Sequence, residues 1–360
     1  AQELLMRALG NPYVGAGGAA ALFMATALGV IALLGDPHAG TPSVRISLAQ
    51  VASMSAPPGW REALKAQPSG AGVLADDTYE LSDGTGGVPG EATITLPSHG
   101  SDNALPQAPI AGLTAQGPGG PLPIIGPDGK TPAEAYSRPF TANGRPKVAL
   151  VIGGLGLNAT ATRQAIEQLP PEITLSFVPY SEGLQGWIDL ARANGHEVLL
   201  EAPMEPVDYP ENDPGPYTLM ASAQGAETVK KLEWLLSRAT GYFGVTNYLG
   251  SKFMASDPAL SAFTTALRGR GLAFIDDGSA ARRAGGLPRA SADRIIDDQL
   301  SREAIDQQLL SLEAGALQHG QALGSGFAYP VTIAQVAAWA NSVENRGYQL
   351  APASALALHR

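Results

Sequence analysis

The chain has 360 residues, a mean hydropathy of +0.01, a formal net charge of −10 and no cysteine. Without cysteine there is no disulfide scaffold, thiolate zinc site or cysteine nucleophile. No part of the chain is basic: residues 1–35 are neutral, 36–145 carry −4 and 146–360 carry −6. A nucleic-acid partner, which requires phosphate neutralisation, is therefore not expected.

Between Arg7 and Asp36 lie 28 residues without a charge, and the run Tyr13–Leu34 is largely apolar. A helix needs about 20 such residues to cross the hydrocarbon core, whereas the apolar part of a cleaved signal peptide runs to roughly 7–15. Residues 1–35 are accordingly predicted to be a retained transmembrane anchor. From Asp36 to Arg145 the chain holds 15 Pro and 16 Gly. It shows no sustained helical or strand period, so it predicts a flexible Pro/Gly-rich linker.

From Pro146 to Arg360 the texture changes to short β-rich runs alternating with amphipathic stretches, the pattern of βα units. Strands are predicted at Val148–Ile152, Ile173–Val178, Glu197–Leu200, Gly244–Thr246, Leu272–Ile275, Arg294–Ile296, Gln321–Gly324 and Tyr348–Leu350. Helices are predicted at Ala159–Leu169, Leu184–Ala193, Ala226–Arg238, Pro258–Arg268, Arg302–Leu317 and Ile333–Asn345, with Asp257 as an N-cap before Pro258. Such repeats form either a closed barrel or an open doubly wound sheet, and in both the ligand site lies beyond the carboxyl ends of the strands.

That rule converts the strand map into a site map. The strand ends are Gly153-Gly154-Leu155-Gly156, Pro179-Tyr180, Glu201 with Met204 and Glu205 behind it, Asn247, Asp276-Asp277, Asp297-Asp298 and Ser325-Gly326-Phe327. Converging carboxylates suit a hard cation or acid–base chemistry. Equally, an Asp at a strand end serves as a helix cap or turn former. No histidine falls at a strand end. His196 begins a strand, and His319 ends a helix, where it complements the macrodipole. A histidine zinc site and a Ser-His-Asp triad are thus not expected. The glycine turn lacks both the dinucleotide spacing and the Lys-Ser/Thr of a phosphate loop. The stretch Glu201–Leu219 contains five prolines and reads as a semi-rigid functional loop.

Val148–Asn158, Gly195–Pro206, Tyr209–Thr218, Gly241–Asn247, Arg270–Ser279 and Gly320–Pro330 with Trp339 together resemble the divergent polysaccharide deacetylases. The resemblance spans about Lys147 to Ser354. It implies a distorted (β/α)7-8 barrel of the NodB type, placed in the bacterial cell envelope. With the anchor, it implies an inner-membrane, single-pass protein whose C-terminal domain lies in the periplasm. Metal-dependent relatives carry an Asp-Asp pair after the first strand and His ligands after the third strand and near the last. Here those positions are Gly153, Gly154, Glu201 and Phe327.

The resemblance therefore implies a glycan-binding domain with catalysis weak or lost. Glu201, Asp276 and Asp277 are the candidate catalytic groups, and Tyr180, Trp187, Met204, Glu205, Asn212, Asp213 and Asn247 the candidate substrate contacts. An active metal-dependent N-acetyl-sugar deacetylase and a non-catalytic scaffold for envelope enzymes are the alternatives. A cell-envelope glycan and the membrane are the expected partners, and a divalent metal is the one cofactor the family implies.

Overall fold

The computed structural model describes residues 103–280 and 286–358. The expected anchor at 1–35 and the first part of the expected linker, 36–102, lie outside these residues. Among the described ones no helix is long and apolar enough to cross a membrane.

The chain first forms β1 (Thr114–Gln116), β2 (Pro121–Pro123) and α1 (Pro132–Tyr136). The βα repeats follow as β3 (Lys147–Leu155), α2 (Ala159–Gln168), β4 (Thr174–Phe177), α3 (Leu184–Ala193), β5 (Val198–Met204) and α4 (Gly225–Leu236). After β6 (Gly244–Leu249) come α5 (Ser251–Ala255), α6 (Asp257–Gly269), β7 (Ala273–Asp276), β8 (Arg289–Ser291) and β9 (Arg294–Ile295). The last elements are α7 (Arg302–His319), β10 (Gln321–Phe327), α8 (Pro330–Val343), β11 (Gln349–Leu350) and α9 (Ser354–Ala357). Each expected strand and helix from 147 onward is present near its predicted place. The α6 cap is Ser256, so Asp257 is the first helical residue and not the cap.

Strands β8-β7-β6-β5-β4-β3-β10-β9 pair in that order and in parallel, with β11 beside the start of β3. The outermost strands, β8 and β9, are close neighbours in sequence. Ala292 donates its N–H to the Asp276 carbonyl and Asp293 donates its own to the Leu323 carbonyl, so one short segment touches both β7 and β10. The result is a parallel half-barrel whose gap that segment bridges, in place of either extreme that the repeat pattern leaves open.

Side chains alternate across a strand with period two, and the alternation sorts the core. Val148, Leu150 and Ile152 of β3 face the helices, as do Leu200, Ala202 and Met204 of β5 and Phe274 of β7. Ala149, Val151, Leu199, Ala273, Ile275 and Leu323 form a second cluster on the other face of the sheet. That cluster is completed by Leu113, Ala133 and Tyr136 from the start of the described chain and by Ala353 and Leu356 near its end.

The linker expectation fails for residues 103–145. Leu105, Leu113, Leu122 and Tyr136 are buried, and Thr131 caps α1 in a capping box with Glu134. Arg192, itself buried, donates to the carbonyls of Pro106, Tyr136 and Gly241. The prolines and glycines here build turns that plug the amino end of the barrel, a role their composition shares with disordered tethers. Glu197 pins both flanks of this plug. Its carboxylate accepts from the Arg138 N–H at 3.0 Å, from the Thr174 hydroxyl at 2.8 Å and from the Ser354 N–H at 3.0 Å.

Candidate functional site

A cavity of about 140 Å³ opens at the carboxyl ends of the strands, as the strand-end rule requires. Its floor is built by the inward register: Val151 and Gly153 from β3, Ser176 from β4, Glu201 from β5 and Ser325 and Phe327 from β10. Thr246, Asn247 and Tyr248 of β6 with Asp277, Asp297 and Asp298 form further walls. Tyr248 meets Phe327 edge to face at a centroid distance of 6.0 Å, and Phe327 lies 6.3 Å from Tyr329, giving an aromatic side.

Glu201 is the best-defined group. Its Oε1 accepts the Gly154 N–H at 2.6 Å and the Ser176 hydroxyl at 2.9 Å. Burial pushes its pKa up to about 7, with the Gly154 and Ser176 hydrogen bonds opposing. Asp297 is similar: burial raises it to about 6, against the pull of the Phe327 amide and the Thr332 hydroxyl. Those two donors both reach Oδ2, at 2.7 and 3.0 Å. Its buried Oδ1 has no hydrogen-bond partner in another described residue.

Asp277 also lines the cavity. Burial raises its pKa, although the Ser279 hydroxyl and amide donate to Oδ1 at 2.5 and 3.0 Å. Asn247 holds this corner rigid, accepting the Asp277 N–H at 3.0 Å and donating to the Leu249 carbonyl at 2.7 Å.

The remaining candidates sit elsewhere. Asp276 follows the register of Phe274, so its side chain points away from the cavity. Its Oδ2 accepts from Arg289 Nε and Nη2 at 3.0 and 2.8 Å and from Ser291 at 2.7 Å, and its Oδ1 from Gly278 N–H at 2.9 Å. It is buried in an ion pair with Arg289 and does not line the cavity. Met204 shares the helix-facing register of β5 and is fully buried in the core. Trp187 lies on α3 against the same core, with the Arg163 guanidinium 5.9 Å from its ring.

Glu205 does not reach the cavity because it closes the proline-rich loop. Lys252 donates to its Oε1 and the Ala221 N–H to its Oε2, each at 2.7 Å. Asn212 and Asp213 belong to that loop, which contributes no cavity wall. Asp213 accepts the Gly215 N–H at 3.0 Å, a turn role. Tyr180 supports the loop, donating its hydroxyl to the Pro214 carbonyl at 2.7 Å. Burial, and then the charge of Glu201, raise the Tyr180 pKa.

Ser176, Thr246, Tyr248 and Tyr329 are site residues that strand ends alone do not reveal. For Ser176 the usable signal was the inward parity of an otherwise apolar strand.

The donor set does not fit the metal centre of metal-dependent relatives. Among the described residues no three His, Cys, Asp or Glu side chains are grouped to hold a metal ion. A β-carbon at Gly153 would lie 2.8 Å from both Glu201 Oε1 and Ser176 Oγ, so an aspartate there would have to displace both side chains. Gly154 has φ +73° and faces the Phe327 ring, which a β-carbon would approach to 3.2 Å. The two described histidines lie elsewhere. His196 is buried between the Ile173 and Ile166 carbonyls, and His319 meets the Gly315 carbonyl within its own helix at 3.0 Å.

The fold is a parallel α/β half-barrel with a cavity at the carboxyl ends of its strands. Residues 150–357 match the model of the divergent polysaccharide deacetylase family, and the chain belongs to that family. A crystal structure of an uncharacterized protein from Agrobacterium tumefaciens C58 is 39% identical, with a TM-score of 0.64 over 66% of this chain and 99% of that one. An uncharacterized protein of Haemophilus influenzae is 27% identical over 196 residues, 52% of this chain and 69% of the relative. The catalytic domain of a peptidoglycan N-acetylglucosamine deacetylase from Eubacterium rectale is 14% identical, with a TM-score of 0.42 over 61% of this chain and 94% of that one.

Proposed function

We propose that the domain binds a cell-envelope glycan at the strand-end cavity, from the periplasmic face of the inner membrane, held there by a single span within residues 1–35. The observation that carries the binding reading is the pairing of the Glu201 carboxyl with the Tyr248–Phe327–Tyr329 wall in one cavity. Carboxyl groups bond sugar hydroxyls, and aromatic rings cover apolar sugar faces. Membership of the deacetylase family supports a polysaccharide ligand, and the uncharged run between Arg7 and Asp36 supports the anchor. Metal-dependent hydrolysis is not part of this reading, because the donor set does not fit the metal.

Titration of the 360-residue chain with chito-oligosaccharides and peptidoglycan fragments tests it. Saturable binding that Glu201→Gln weakens at least tenfold is expected, and no binding to any of these glycans overturns it. Release of the intact chain from membranes by alkaline carbonate without detergent overturns the anchor.

One observation favours a hydrolytic variant of this reading: a Glu201 pKa of about 7 suits a general base acting on water. Acetate release from N-acetylated oligosaccharides, abolished by Glu201→Gln and indifferent to chelator, would establish it.

A further inference from the structure

We infer that Tyr217 forms a second sugar-binding surface, a flat aromatic platform outside the strand-end cavity that takes the apolar face of one pyranose ring. The inference goes beyond the cavity and rests on the glycan reading for the class of ligand.

The platform is a stack of planar groups. The Tyr217 ring lies on the Trp234 indole with centroids 3.7 Å apart and planes within 8° of parallel. The Arg238 guanidinium stands over the same indole, 5.0 Å from its centroid. With one face on the indole and 43% of the residue exposed, the Tyr217 ring offers its other face to solvent. Trp234 lies in the last turn of α4, which runs back from the mouth of the barrel. Neither ring lines the cavity.

The backbone beneath the platform is held in a costly shape. Tyr217 has φ +63°, a left-handed conformation that bulky side chains rarely adopt. Among the described residues only Leu249 shares this feature without being glycine. The flanking positions keep it there: Pro214, Gly215, Thr218 and Leu219 are buried. The Thr218 hydroxyl donates to the Gly215 carbonyl at 2.6 Å, and the Lys231 ammonium to the Thr218 carbonyl at 3.2 Å. The Leu219 N–H donates to the Pro203 carbonyl at 2.8 Å. Strain is ordinarily repaid by burying the side chain, yet this ring stays at the surface. An over-determined, exposed aromatic of this kind marks a surface kept for a ligand.

Shape and surroundings choose the ligand class. One ring face is small for a protein partner, whose interface covers about 800 Å² a side. Beside it stand charged groups, Lys231 paired with Glu227 at 3.3 Å and the exposed Arg238, which suit hydroxyls and not an acyl chain. A pyranose brings both halves of the match: C–H groups for the ring and hydroxyls for the charged edge. Because the ring is already fixed by its stack, binding costs little side-chain entropy.

Calorimetric titration of the 360-residue chain with chitotetraose is the test. Two sites per chain are expected, of which Glu201→Gln weakens one and spares the other. In that background Tyr217→Asn combined with Trp234→Leu should weaken the remaining site at least tenfold, whereas Tyr217→Phe holds it within twofold. Asparagine tolerates the left-handed backbone, and loss of both rings prevents an uncovered indole from replacing the platform. Tyr217→Lys, whose aliphatic stem keeps the indole covered, serves if the combined variant fails to fold. A single site that Glu201→Gln abolishes overturns the inference and leaves the cavity reading intact. A second site that the ring-removing variants leave within twofold also overturns it. Equal loss in Tyr217→Phe would assign the contact to the hydroxyl and overturns the platform as well. No binding by the parent chain overturns the inference together with the glycan reading.

Discussion

Glu201 occupies the space that a side chain on Gly153 would need: Oε1 lies 2.8 Å from the position of a β-carbon there. Neighbouring strands β3 and β5 flank β4, and its Ser176 hydroxyl crowds the same point from between them. The glycine and the glutamate are thus one structural unit. Where the family resemblance leads one to expect an aspartate on the first strand, this chain has a glycine, and its carboxylate stands two strands along the sheet.

The unit predicts non-additive energetics. Gly153→Ala should cost about 1–3 kcal/mol, the usual penalty of forcing extra volume into a filled site. In the double variant Gly153→Ala, Glu201→Ala a sizeable part of that penalty should disappear, the remainder reflecting Ser176. Urea unfolding of the four members of the cycle gives the coupling. Additive costs would show that the two positions do not compete for space.

Glu201 should also make stability fall with rising pH. Its folded pKa of about 7 lies above the ordinary value of 4.5. Between these values the folded state binds more protons than the unfolded one, so stability is greatest below pH 4.5 and declines until about pH 7. Glu201→Gln removes this decline. Relative to the parent, the variant should gain on the order of 2–3 kcal/mol on moving from pH 4.5 to pH 8. Chemical denaturation at the two pH values measures the difference, and a pH-independent difference would contradict it.

Asp276→Ala should be strongly destabilising, because it strands the buried Arg289 guanidinium without its partner. Removing one member of a buried ion pair typically costs about 3–5 kcal/mol. Glycan affinity per folded molecule should be unchanged, since Asp276 does not line the cavity. A loss of affinity with stability retained would return Asp276 to the binding site.

Glu205→Ala should free the proline-rich loop. Its carboxylate joins the Ala221 amide to Lys252, and its backbone carbonyl accepts from the N–H groups of Lys252 and Phe253. With the side chain gone, proteases should cut between residues 206 and 218 several times faster, before the barrel itself is attacked. Uniform digestion across the domain would show that Glu205 holds no local latch.

The order of strands and helices after Lys147 was legible because alternating periods and cap residues are local signals. Glu201, Asn247 and Asp277 were reachable from strand ends for the same reason. Asp276 and Met204 misled because proximity to a strand end says nothing about which face a side chain takes. Counting by two from the apolar residues Phe274 and Leu200 would have turned both away from the cavity. The packing of residues 103–145 was not legible. Its turns owe their order to distant partners such as Arg192 and Glu197, and Pro/Gly composition is the same whether such partners exist or not.

The described chain enters beside Arg192, whose carbonyl accepts the Leu105 N–H at 2.9 Å, at the amino end of the barrel. Glu201 and Asp297 line the cavity at the other end. Strands β3 and β5 contain 9 and 7 residues, which at about 3.3 Å per residue places the mouth roughly 25 Å beyond that entry point. The cavity thus opens at the end of the domain opposite the point where the described chain begins.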